Sequence, residues 1–199
     1  MELLSQSKRK PLIYVARNPK DVLVSYYHYS KFSTRLEEID FDFFMERFLN
    51  GKLLPGSWLD HVEGWYAHRD DFNILFLTYE EMKKDLRGSV LKICNFLGKR
   101  LTEKVLFQVV DKATFDKMRQ DHRSNYENLP DDVDMIEGIV MLYYAHLKHV
   151  SQGRFLCKGT VGDWKNTMTV AQSERFDSVF KESMEKLPFK FCWDISDEL

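Results

Sequence analysis

Cysteine is scarce in this 199-residue sequence: three residues, Cys94, Cys157 and Cys192, stand far apart. That spacing excludes a disulfide framework and paired zinc ligands, and a sparse odd count fits free thiols in a reducing compartment. Charge of one sign is also missing. Lys and Arg number 29 against 31 Asp and Glu, a net of −2, so a general nucleic-acid coat is excluded and any anion site must be local. No apolar run approaches the roughly 20 residues of a membrane span, and the start, Met1 to Lys8, has no secretory apolar core. The expectation is a soluble cytoplasmic protein with neither nucleic acid nor membrane as partner. Six histidines offer one i, i+3 pair, His146 and His149, but no Cys or carboxylate cluster completes a ligand set, so no metal is expected. No nucleophile-elbow pattern occurs. Linkers, repeats and low-complexity tracts are absent.

What is present suits one globular domain over residues 1–199, because 44% of the residues are hydrophobic and 14% aromatic, enough for a sizeable core. Residues 11–17 read as a buried strand and 19–32 as a helix, with Asn18 as N-cap and Pro19 at the first helical position. A short helix follows over 42–50, ending on Asn50-Gly51, then a turn over 53–57. Residues 58–68 are helical, with Trp58, Val62 and Trp65 on one face. Residues 73–78 form a second buried strand. Thr78 with Glu81 makes a capping box for a helix that turns Leu86, Val90, Ile93 and Leu97 inward and stops at Gly98. Thr102 caps a helix burying Val105, Leu106 and Val109. Thr169 with Gln172 caps the last long helix, whose inner face is Phe176, Val179, Phe180 and Met184. Strands separated by helices imply an α/β fold with a parallel sheet.

Two stretches carry chemistry. Lys158-Gly159-Thr160-Val161-Gly162-Asp163-Trp164-Lys165-Asn166 has glycines three apart and lysines near both ends. On composition alone it is either a surface turn or a loop whose free N–H groups face an anion. Near the start, a strand runs into a helix at Arg17-Asn18-Pro19-Lys20-Asp21, with Ser25 beyond. In open α/β sheets ligands bind beyond the carboxyl ends of strands, where an arginine grips phosphate bidentately.

Taken together, these two ordered motifs resemble those of the cytosolic sulfotransferases. The runs Trp65-Tyr66, Asp70 to Ile74, Thr78 to Leu86 and Lys158 to Val170 look like the amine sulfotransferase branch. The resemblance covers nearly the whole chain. It implies a three-layer parallel sheet flanked by helices, the sulfotransferase (P-loop-nucleotide-hydrolase-like) fold. It also implies that the sequence corresponds to the C-terminal two-thirds of the family domain, an N-terminally truncated form. The family's phosphate loop, catalytic histidine and lysine would then lie in an N-terminal part not represented here, and no Gly-x-x-x-x-Gly-Lys-Ser/Thr run precedes residue 11. No residue of this sequence is assigned a catalytic role.

The donor implied by the resemblance is 3′-phosphoadenylyl sulfate (PAPS), used without a metal. Its 3′-phosphate would sit among Arg17, Ser25, Lys158 and Gly159. Tyr79 and the run Ala113, Thr114, Phe115, with Met118, would flank the adenine, since an aromatic ring and a methionine can sandwich a purine. For Phe115 and Met118 the alternative is core packing at i, i+3. Cys157 stands where the family has an arginine; losing such a charged contact costs roughly 1.5–3 kcal/mol. The chain is also longer than the family before Lys158, with an apolar stretch within 136–153. Lys165, Thr169, Val170 and Glu174 match the family's short dimer motif, and imply a homodimer. The implied activity is transfer of a sulfuryl group to an amine or hydroxyl of a small acceptor. The alternative is a non-catalytic truncated form acting only through dimerisation.

Overall fold

The computed structural model describes residues 10–33, 39–124, 156, 158–187 and 189–194. Strand β1 (Pro11–Ala16) pairs in parallel with β2 (Asn73–Thr78), Pro11 opposite Asn73 and Ala16 opposite Thr78. Both strands therefore end at the same edge of the sheet, and each runs directly into a helix there: α1 (Pro19–Ser33) after β1, α4 (Tyr79–Lys84) after β2. Between the strands lie α2 (Phe41–Leu49) and α3 (Trp58–Ala67). The expected parallel α/β arrangement is present.

Period-two alternation sorts the strand residues by face. Leu12, Tyr14, Ala16, Ile74 and Phe76 pack with Val62 and Trp65 of α3 and with Phe191. The opposite side of β1 is more open: Ile13 and Val15 are half exposed. A second core joins α1, α2 and the long helix α8 (Val170–Lys186), through Leu23, Tyr27, Phe44, Phe48, Phe176 and Phe180. Phe176 and Phe180 stack at 4.6 Å, with Phe48 beside both. Burying each such ring contributes roughly 1.5–3 kcal/mol.

Local chemistry sets most helix starts as read from the sequence. The expected capping boxes at Thr78–Glu81 and Thr169–Gln172 open α4 and α8, while Ser57, read from the sequence only as the end of a turn, caps α3. Three readings change. The helix expected to run from Thr78 to Gly98 is two helices, α4 and α5 (Leu86–Phe96), because Asp85 leaves helical geometry and its side chain caps α5 by accepting from the Gly88 amide. Leu97, expected inward, is the exposed C-cap residue of α5. In α6 (Glu103–Lys112) only Leu106 is buried, while Val105 and Val109 remain about two-fifths exposed, as does Val179 in α8. Apolar residues on these faces outnumber the surfaces available to cover them among the described residues. The apolar stretch within 136–153 lies outside the described residues.

Candidate functional site

The carboxyl ends of β1 and β2 carry Arg17 and Tyr79 side by side. The Arg17 guanidinium lies 4.5 Å from the centre of the Tyr79 ring. Its Nη2 donates to the Thr160 carbonyl at 3.0 Å and sits 3.4 Å from Asp21. Arg17 Nε is buried without a hydrogen-bond partner among the described residues. Burial pushes the Tyr79 phenol up, the nearby Arg17 charge opposing it and the Asp21 and Glu80 charges adding to it.

The loop 158–164 is anchored to this corner by the Asp21 carboxylate as well as by Arg17. Asp21 is 1% exposed, and its carboxylate accepts from the Gly162 amide at 2.9 Å and the Trp164 amide at 3.1 Å. Asn18 completes the joint. Its Oδ1 accepts from the Asp21 amide at 2.8 Å, which is the N-cap bond read from the sequence, and its Nδ2 donates to Asp21 Oδ2 at 2.9 Å. Lys20 ties the same turn to α8, bonding Ser173 Oγ at 2.7 Å and Asp177 while its ammonium lies 4.4 Å from the Trp164 ring.

Gly159 adopts φ +64°, and a Cβ there would come 2.2 Å from the Phe115 ring. Only glycine permits this approach. Phe115 opens α7 (Phe115–Gln120), and Lys83 of α4 lies 5.7 Å from its ring. The structure thus brings Arg17, Tyr79, Gly159 and Phe115 to one corner. Ala113 and Thr114 join α6 to α7 directly before Phe115, and Met118 is half buried one turn on. Ser25 is exposed on α1, one turn past Asp21 and so on the same helix face. Cys157 lies outside the described residues.

Lys158 is exposed and pairs with Asp163 at 2.9 Å. Burial pushes the Asp163 carboxyl up, but hydrogen bonds from Asn166 and Lys158 outweigh it and hold it below the usual range. The charges of Arg17 and Lys158 are therefore each shared with a carboxylate. At the helix start, Val170 is 75% exposed, Thr169 caps α8 and Glu174 is exposed, but Lys165 is bound within its own protomer to Asp194 at 2.6 Å.

Sequence reasoning named Arg17, Tyr79, Phe115 and Gly159 but assigned no role to Asp21 or Glu80. The signal for Asp21 was a carboxylate in the first turn of a helix whose strand ends on arginine. Glu80 had none beyond its place in a first turn, since acidic residues are common there.

A family model for the sulfotransferase domain matches residues 2–188. The amine sulfotransferase of Oryctolagus cuniculus is 47% identical over 98% of this chain and 61% of its own length. Sulfotransferase 2B1 of Mus musculus is 46% identical over 96% of this chain and 53% of its own. The chain thus spans between about half and three-fifths of these relatives. Among solved structures, mouse sulfotransferase SULT7A1 complexed with PAP superposes with a TM-score of 0.70 at 33% identity, over 92% of this chain and 60% of that one. Retinol dehydratase in complex with androsterone and inactive cofactor PAP gives 0.74 at 28% identity, over 90% and 48%.

Proposed function

The chain belongs to the sulfotransferase family, with the fold of that family, and from that premise we propose that its residues form the 3′-phosphate and adenine side of a PAPS site. The observation that carries this reading is the meeting of Arg17, Tyr79, Phe115 and Gly159 at the ends of two parallel strands. Arg17 offers the anion a buried Nε donor not used within the described protein. Gly159 brings a backbone N–H close without a side chain in the way. Phe115 and Tyr79 offer ring faces to a purine, with Met118 behind. Lys158 adds charge when its ammonium turns from Asp163, or shares it. Ser25 contributes a hydroxyl from α1, and Ala113 and Thr114 set the turn that presents Phe115.

Bound there, PAPS would supply the sulfuryl group, and the activity of the whole protein is transfer of that group to the nitrogen or oxygen of a small acceptor. In that step a sulfur–oxygen bond to the donor phosphate breaks, a bond to the acceptor forms, and the acceptor gives up a proton. The residues described bind and orient the donor; none is assigned the proton transfer. The low cysteine count of the sequence, three residues far apart, supports a reducing, cytoplasmic location. The second reading, a chain acting only by self-association, draws on the exposure of Val170.

Calorimetry with 3′,5′-bisphosphoadenosine and adenosine 5′-phosphate tests the first reading. Wild type should prefer the bisphosphate. Arg17→Ala should weaken it by about 10- to 100-fold, the value of a charged hydrogen bond, and weaken the monophosphate far less. Equal losses for both ligands mean that Arg17 is structural. The 199-residue chain itself should transfer no labelled sulfate from PAPS to amines or phenols, because proton transfer by a placed base alone is worth about 10²–10⁴ in rate. Transfer above a heat-killed control overturns that expectation.

A further inference from the structure

Glu80 is 2% exposed and follows Tyr79 at the start of α4. Its Oε1 accepts from the Asn18 amide at 2.8 Å and from Asn18 Nδ2 at 3.2 Å. That same Nδ2 donates to Asp21 Oδ2, the oxygen that also receives the Gly162 amide. The bonds form one buried chain: Glu80 to Asn18, Asn18 to Asp21, Asp21 to Gly162 and Trp164. It crosses three separate segments, 78–80, 17–21 and 162–164. Its first member adjoins the ring beneath Arg17 and its last adjoins the loop bearing Gly159.

A carboxylate in the first turn of a helix has an ordinary role in complementing the helix dipole. Glu80 departs from that role in two ways. It is buried rather than solvated, and its bonded oxygen is aimed at another element's backbone. The Asn18 side chain has two possible orientations of its amide. With Glu80 accepting from Nδ2, Oδ1 is left to receive the Asp21 amide, and Nδ2 is fixed on the Asp21 carboxylate. We propose that Glu80 is a positioning residue, which through Asn18 and Asp21 docks the 158–164 loop and so fixes the spacing between Arg17 and Gly159. The proposal rests on the donor-site reading above for its use, and on this bond chain for its mechanism.

Reach and charge separate the proposal from a general electrostatic or packing role. Glu80→Asp keeps the charge but is one methylene too short to hold Asn18. Glu80→Gln removes the charge and keeps an oxygen at full reach. In the full chain, hydrogen exchange of the Gly162 and Trp164 amides is measured against the core amides of α2 and α8. The ratio of bisphosphoadenosine to adenosine 5′-phosphate affinity is measured alongside. In Glu80→Asp the loop amides should exchange about tenfold faster relative to the core, and the ratio should fall about tenfold; Glu80→Gln should stay within about threefold of wild type in both. The reverse order, or loop and core loosening together in both variants, overturns the proposal. If wild type shows no preference for the bisphosphate, the donor-site reading fails, and the exchange measurement still decides whether Glu80 holds the loop.

Discussion

The Asp21 carboxylate and the Gly162 amide are 141 positions apart in sequence and 2.9 Å apart in the fold. With the Trp164 amide on its other oxygen, this carboxylate joins the first helix turn to the glycine-containing loop. The loop and Arg17 then share one frame: Arg17 reaches the Thr160 carbonyl of the loop and the Asp21 carboxylate from the same nitrogen. A buried carboxylate receiving several N–H groups is a strong, directional anchor.

Asp21→Ala should therefore be severe. It leaves the Gly162 and Trp164 amides without their acceptor and takes one partner from Asn18 Nδ2, which keeps Glu80; each lost partner costs about 1–3 kcal/mol. An overall loss of about 3 kcal/mol or more is expected in urea unfolding, with Asp21→Asn intermediate because it keeps one acceptor oxygen. A loss below about 1 kcal/mol would mean that the loop is held by other contacts.

Gly159→Ala should damage the site more than the fold. Its φ of +64° disfavours any side chain, and the added methyl meets the Phe115 ring at 2.2 Å. The ring must move, so adenine nucleotides should bind at least about tenfold more weakly while the unfolding midpoint falls by no more than about 1–3 kcal/mol in equivalent stability. Unchanged binding would remove Phe115 from the purine side.

Val170→Glu tests self-association. Val170 is 75% exposed at the start of α8, and a two-fold contact through it would set two like charges near the axis. Lys165 already pairs with Asp194 in its own protomer, so the contact depends on Val170 more than on a Lys165–Glu174 exchange. Sedimentation at micromolar protein should show a dimer for wild type and a monomer for the variant. A monomeric wild type, or a dimeric variant, leaves Thr169 and Val170 as a helix start alone.

Tyr14 should make stability fall at alkaline pH. Its hydroxyl bonds His61 Nδ1 at 3.0 Å, and burial pushes the phenol from the ordinary 10.0 to about 12. Above pH 10.0 the unfolded chain ionises this group while the folded chain keeps its proton. The contribution is therefore full below that pH and is lost as pH climbs through about 12. Urea midpoints of wild type and Tyr14→Phe should converge as pH rises from about 9 to about 11; parallel curves would show that Tyr14 does not titrate late.

The sequence by itself determined the local elements. Both strands, the Asn18 cap, the Thr78 and Thr169 capping boxes and the motif glycines follow from side chains acting within a few residues, and these interactions are encoded at short range. It also determined the family, through the order of two motifs around Arg17 and Lys158. It misplaced the boundary at Asp85, because an aspartate inside an apolar period serves equally as an exposed helix residue or a new cap, and only backbone geometry separates the two. It counted Val105, Val109 and Val179 as core, because periodicity shows which residues share a face and not whether another element covers it. Tertiary structure alone decided that Asp21 holds Gly162 and Trp164, that Glu80 reaches Asn18 62 positions away, and that Lys165 turns to Asp194. Each of these bonds joins residues whose separation along the chain carries no signal, and the one from Asn18 to Glu80 forms because the parallel pairing of β1 and β2 brings two helix starts to one edge.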